Sequence, residues 1–414
     1  MTTPQTPHGT DNATPFTRRR FLAGTGASVL AFTVLKPGLA RAAGANAKIN
    51  LGLIGCGKRG KWIAELFEQH GGYHLVAVAD YFQERVDAVG EQLQVGAAQR
   101  FTGLQGYRRL LEQQLDAVVI ESPPYFHPEQ AAAAVEAGKH VYMAKPVAVD
   151  VPGCLSIDAS GRAATAKQRC FLVDFQTRAN PLYQAAVQAV RAGEIGKLFF
   201  AEASYHCGPT WDSMDQLLRQ DPKNPEVRLR AWGVDRVLSG DVITEQNIHA
   251  LDVACWMLGA EPLRACGTGG RKREFVGNCW DHFAVIYHFP NDLVLSFNSR
   301  QSGYGYDDIL CRVYGSQGTA DTHYFGNVTV KAKEFHSDGK VGNLYHDGVV
   351  ANIATFHDCI TRGDWTNPTV TPSVRSNLTT ILGRMASYRN GTVTWPEMMQ
   401  AKEKLEADFK GLKA

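Results

Sequence analysis

The chain has 414 residues, 44% of them hydrophobic and 20% charged, with 43 basic against 41 acidic side chains. Such a length accommodates two domains of about 100–200 residues, each with its own core. A net charge of +2 supplies no broad field for nucleic acid or an anionic membrane surface, which excludes both as bulk partners and leaves small-molecule chemistry as the expectation.

Residues 1–16 are rich in Thr and Pro and are expected to be disordered. Thr17, Arg18 and Arg19, followed by Phe21 and Leu22, match a twin-arginine export motif; an apolar run then extends to Leu35, and Ala40, Arg41 and Ala42 supply a small-x-small cleavage site. The run is shorter than the roughly 20 residues of a membrane-spanning helix, so stable membrane insertion is not expected. Residues 1–42 therefore read as a signal peptide, the twin-arginine translocase as a transient partner, and the location as periplasmic or otherwise exported. The nine cysteines include no C-x-x-C pair and are scattered over a long chain; they read as buried free thiols rather than as a disulfide framework.

From Lys48 onward, short β-branched runs ("INLGLIG", "HLVAVAD", "DAVVIES", "HVYMAKP", "CFLVDF") alternate with helical stretches. Near-continuous apolar strands joined by helical crossovers imply a doubly wound parallel sheet, assigned to residues 43–168. After "FQTRANPLY" the pattern becomes longer alternating strands, "KLFFAEASYH", "DHFAVIYHFPNDLVLSFNSR" and "DILCRVYGSQGTADTHYF", with a turn at Pro290, Asn291 and Asp292. Helices are predicted near 181–192, 244–258, 351–361 and 374–388. Residues 169–414 thus read as an α/β domain with a large open mixed, mainly antiparallel sheet backed by helices.

Gly55, Gly57 and Gly60 form G-x-G-x-x-G between the first strand and a helix, the spacing at which a backbone turns tightly, approaches a pyrophosphate and packs closely on the strand. Asp80 ends the second strand, where a carboxylate holds the hydroxyls of an adenosine ribose; it favours NAD, while Lys58 and Arg59 in the loop keep NADP open.

Two further stretches, "ESPPYFHPEQAAAAVEAGKHVYMAKPVAV" and "SGDVITEQNIHALDVACWMLGAEP", fall in the order in which the Gfo/Idh/MocA superfamily of sugar and cyclitol oxidoreductases carries its motifs, and the chain resembles that family from the glycine loop to "GSQGTAD". The resemblance implies that Ser122, Pro123 and His127 line the nicotinamide side of the cofactor. It places Lys145 near both nicotinamide ribose and substrate, although Ala144 stands where the family has glutamate, removing an acceptor that would orient lysine or cofactor. It makes His249 the general base, within a family motif here written Glu245, His249 and Asp252, on one face of a helix with Trp256. Metal binding by Glu245 and His249 lacks an evident third ligand. Arg178 matches a basic residue that the family often places at the domain junction, at the cofactor; Arg300 and Tyr304 are weaker cleft candidates. A homo-dimer or homo-tetramer through the large sheet is likewise implied by resemblance alone.

Three functions remain open from the sequence: oxidation of a hydroxyl on a sugar, sugar derivative or cyclitol by bound NAD(P); a redox-neutral glycosidase or epimerase working through a transient keto sugar; and a non-catalytic dinucleotide sensor. Lys145 and His249 argue against the sensor. Export argues for a cofactor taken along and regenerated in place, since no pool outside exchanges it.

Overall fold

The computed structural model describes residues 48–414; the expected disordered tail and signal at 1–42 lie outside the described residues. The first sheet contains β1 (Ile49–Ile54), β2 (Tyr73–Asp80), β3 (Arg100–Thr102), β4 (Ala117–Ile120), β5 (His140–Ala144) and β6 (Phe171–Asp174), in the order β3-β2-β1-β4-β5-β6 and all parallel. Every residue of β4, β5 and β6 is buried, as expected for strands covered by helices on both faces. The strand order reverses between β1 and β4, which opens a crevice at their carboxyl ends. The short β3 has no apolar run to announce it. A boundary at 168 also cuts the domain too early, because β6 completes this sheet and pairs Ala144 with Asp174.

The second sheet holds β7 (Leu198–His206), β8 (Arg264–Gly270), β9 (His282–His288), β10 (Val294–Arg300), β11 (Asp308–Gly315), β12 (Gly318–His323), β13 (Asn327–Ala332), β14 (His336–Lys340) and β15 (Thr392–Thr394). Its order is β14-β13-β12-β11-β7-β10-β9-β8-β15; only β7 and β10 run parallel. Burial alternates along β9 and β11, so one face is packed and the other open. Helices Ile248–Leu258 and Val370–Arg389 cover the packed face, and their apolar residues join one core with those of the sheet.

The helix expected over 244–258 is broken. A short turn, Val242–Glu245, ends before helix Ile248–Leu258, with Gln246 and Asn247 between them. Helix Leu344–Arg362 packs back on the first domain, where Tyr345 stacks on Trp62 with ring centroids 5.0 Å apart. Segment 402–414 returns there too: Leu104 N–H donates to the Lys413 carbonyl at 3.1 Å, and Phe409 stacks on Phe126. Six of the nine cysteines are buried and all are free thiols.

Candidate active site

At the crevice of the parallel sheet, Gly55 has φ +99°, and a Cβ there would lie 2.5 Å from the backbone of Glu121 and Ser122. Gly60 lets the helix Lys58–His70 sit on the strand, since a Cβ on it would meet the Gly55 carbonyl oxygen at 1.8 Å. Gly57 differs: a Cβ there would meet only the Arg85 guanidinium, at 3.9 Å. Packing requires glycine at 55 and 60, whereas at 57 the backbone faces open cleft at the N-terminus of a helix, where N–H groups are free for an anion.

The Asp80 carboxylate closes the adjoining pocket. It accepts from the Cys56 N–H at 2.8 Å and the Phe82 N–H at 3.0 Å, and burial raises its pKa against the opposing pull of Arg85, 4.0 Å away. Tyr81, Phe82, Leu104, Phe126 and Trp232 give this pocket apolar walls suited to a flat heterocycle. The glycine loop, the carboxylate and these walls fit a dinucleotide.

A cleft of about 700 Å³ adjoins this pocket and contains Gly57, Lys58, Arg59, Ser122, Ala144, Lys145, Glu245 and His249. Lys145 follows β5, and its ammonium donates to the Glu245 carbonyl oxygen at 2.6 Å and to Glu245 Oε1 at 3.1 Å. The acceptor missing at Ala144 is thus supplied from the second domain. His249, 9% exposed, opens the helix after the break, with Tyr324 and Phe175 edge-on to its ring. Its Nδ1 has no hydrogen-bond partner among the described residues. Burial, with Lys145 and Arg59 adding to it, holds its pKa well below the usual imidazole range, so the ring is neutral and available as a base.

Other expected residues sit differently. The Arg59 guanidinium does not point at a phosphate: it is bound to Glu121 at 3.0 Å, Asp174 at 2.5 Å and the Tyr345 hydroxyl at 2.6 Å. Only its backbone N–H and the exposed Lys58 remain for an anion on this turn. His127 is buried with its ring nitrogens 2.8 Å from the Pro146 and Ser122 carbonyls; it lies behind these two loops and lines neither the pocket nor the cleft. Ser122 and Pro123, expected on the nicotinamide side, line the pocket beside Asp80, Ser122 also reaching the cleft, with its Oγ donating to Gln130 Oε1. Arg178 lines neither the pocket nor the cleft: it grips Asp252 through two bonds of 3.0 and 2.7 Å between the rings of Phe175 and Trp256. Asp252 is accordingly a buried structural anion. Arg300 caps carbonyls of its own loop and Tyr304 is 90% exposed on that loop; neither lines the cleft. Among the described residues no group of three or more His, Cys, Asp or Glu is placed to hold a metal ion.

Sequence reasoning missed Glu121 and Asp174. By register they flank Ala144 on the neighbouring strands, both without exposed side-chain surface, and burial pushes the Glu121 pKa up to about 7. Their position immediately beyond apolar strands, at the carboxyl edge of a doubly wound sheet, is the signal that would have found them.

Residues 49–175 match the family model described as an oxidoreductase family with an NAD-binding Rossmann fold, and residues 183–321 match the GFO/IDH/MocA C-terminal domain. The chain belongs to the Gfo/Idh/MocA family. Among curated relatives, the scyllo-inositol 2-dehydrogenase (NAD(+)) of Bacillus subtilis is 26% identical over 359 residues, spanning 83% of this chain and 95% of its own. The inositol 2-dehydrogenase of Rhizobium meliloti is 26% identical over 282 residues, 65% of this chain and 74% of its own. A levoglucosan dehydrogenase solved with NADH and levoglucosan shares the fold at TM-score 0.69 and 18% identity, covering 84% of this chain and all (100%) of that one. As a Gfo/Idh/MocA protein, the chain is an NAD-binding oxidoreductase.

Proposed function

We propose that this protein oxidises a hydroxyl of a sugar, sugar derivative or cyclitol with tightly held NAD, and that the reduced cofactor returns its hydride within the site to a second sugar or to the same molecule after cleavage. The observation that carries the reading is the convergence of Lys145, Glu245 and His249 at the end of the cleft that begins at the glycine loop. The inositol and levoglucosan dehydrogenases among its relatives support the substrate class.

Bound NAD supplies a hydride acceptor. Gly57, the N–H groups of the first helical turn and Asp80 hold it. His249, kept neutral by burial, takes the proton of the reacting hydroxyl through Nε2, because Nδ1 is closed off from the cleft. The Lys145 ammonium, held by Glu245, stabilises the negative charge that grows on that oxygen. The carboxylate of Glu245 fixes the lysine in the absence of an acid at position 144.

Export by the twin-arginine route, with the dinucleotide bound before translocation, follows from the motif at Thr17–Leu22 and from the need to regenerate the cofactor in place. A dimer or tetramer through the open face of the second sheet is supported by Phe199 and Ile286, exposed there at 55% and 38%. The test is to purify the protein without added cofactor, denature it and weigh what is released, then to follow cofactor reduction with a panel of sugars and cyclitols. NAD or NADH is expected in near-stoichiometric amount; a protein that emerges empty and needs millimolar NAD would refute retention.

A further inference from the structure

Beyond the glycine loop, where the dinucleotide would lie, and the reacting groups, the cleft has walls of a different character. Trp211, Met214, Leu217 and Trp232 come from residues 207–234, and Phe325 from the turn after β12; all five line the same cleft as Lys145 and His249. A sugar or cyclitol ring can stack one C–H face on an indole, but its rim of hydroxyls finds no partner on Trp211, Met214, Leu217 or Phe325. Such walls stabilise a flat apolar group by burial and by ring packing.

The wall is built rather than incidental. Trp211 has φ +67°, a left-handed conformation that is a genuine outlier for a bulky residue and that persists only where the surroundings impose it. Gly233 makes the room, because a Cβ there would meet the Trp211 indole and the Met214 sulfur at 3.0 Å. Trp211 and Trp232 pack with ring centroids 5.5 Å apart at 58°. The arm that carries them is fixed at both ends. Arg273 donates to the Thr210 carbonyl at 3.0 Å and pairs with Asp212, while Arg230 pairs with Glu84 at 2.6 Å and lies over the Phe82 ring. Phe325 is 71% exposed, with only Tyr324 as an aromatic neighbour.

We propose that the substrate is a glycoside with an apolar, aromatic aglycone: its sugar ring lies at Lys145 and His249, and its aglycone against Trp211, Met214 and Phe325. The inference rests on the reading under Proposed function and adds the part of the substrate that does not react. Trp211 and Phe325 are then specificity residues that act on binding of the aglycone.

The protein with its retained NAD is assayed with phenyl and methyl glycosides of glucose, galactose and mannose, with cellobiose, and with free sugars and inositols, following both cofactor reduction and released phenol. A phenyl glycoside is expected to show a KM about 10-fold or more below its methyl counterpart. Trp211→Ala should raise the phenyl KM by about 10-fold and leave the methyl KM unchanged, with Trp211→Phe restoring most of the difference. Phe325→Ser, at an exposed position with little burial to lose, should reduce the same preference without affecting folding. Equal KM values for phenyl and methyl glycosides, a disaccharide preferred over both, or a Trp211→Ala effect shared by both substrates would overturn the inference. If free sugars or inositols react and aryl glycosides gain nothing, only this inference falls; if no sugar, cyclitol or glycoside reacts, the oxidoreductase reading falls first and takes it along.

Discussion

Lys145 and His249 come from different domains and meet at one end of the cleft, so each should be indispensable to turnover and dispensable to dinucleotide binding. Lys145→Met or His249→Ala is expected to lower turnover by roughly 10²-fold or more, the usual contribution of a positioned acid or base, with retained cofactor measured after denaturation unchanged. The pH profile adds a sign. Because burial, Lys145 and Arg59 hold the His249 pKa well below its ordinary value, the base stays competent as pH falls through the normal imidazole range. The acid limb of kcat/KM should therefore lie below about pH 6.5; a limb at that value, abolished by His249→Ala, would show an unperturbed ring. Glu245→Gln keeps the backbone carbonyl that accepts from Lys145 and removes only the charge, so its loss should be smaller than that of Lys145→Met.

Among the elements, the glycine loop separates packing from binding. Gly60→Ala forces a Cβ against the Gly55 carbonyl and should destabilise the protein by about 1–3 kcal/mol, read as a lower melting temperature. Gly57→Ala meets only the end of the flexible Arg85 side chain; melting should be unchanged while NAD affinity falls on the order of tenfold, each 1.4 kcal/mol being about a factor of ten. The loop, Asp80 and the parallel sheet were legible because strand periodicity and glycine spacing are local properties. The cleft's second wall was not. Val242–Glu245 and Ile248–Leu258 read as one continuous helix because the break at Gln246 and Asn247 contains neither Gly nor Pro. Arg59 and Arg178 looked like cofactor cations because a sequence shows charge but not the carboxylates, Glu121, Asp174 and Asp252, that take it up from distant positions. β14, HSDGK, has no apolar residue to announce it, and β13, NVTVKA, alternates over only two valines.

At the scale of the whole molecule, segment 402–414 lies along the dinucleotide pocket, bonded to Leu104 and Tyr81 and stacked on Phe126, three residues that also line that pocket. Deleting it should accelerate release of NADH by about tenfold or more, as most affinity changes appear in the off-rate, measured by displacement with excess NAD. Acid should weaken the fold through a buried histidine. Burial pushes His140 down to about 4, and its Nδ1 accepts from the Cys170 N–H, so the folded ring stays neutral where the unfolded one charges. Its contribution is complete above about pH 6.5 and declines below it by about 1.4 kcal/mol per pH unit until the folded pKa is reached; melting temperature against pH checks this. The most direct test of the central claim is transfer of label. A substrate from the reactive panel, deuterated at its carbinol carbon, is mixed with the NAD-loaded protein for less than one turnover, and the reduced cofactor is recovered under a cold alkaline quench and weighed. One deuterium in the reduced cofactor of the wild type before the cycle closes, and none in the Lys145→Met, His249→Ala variant with its cofactor still bound, is the predicted result; oxidised substrate formed by the wild type beside a reduced cofactor without label would contradict it.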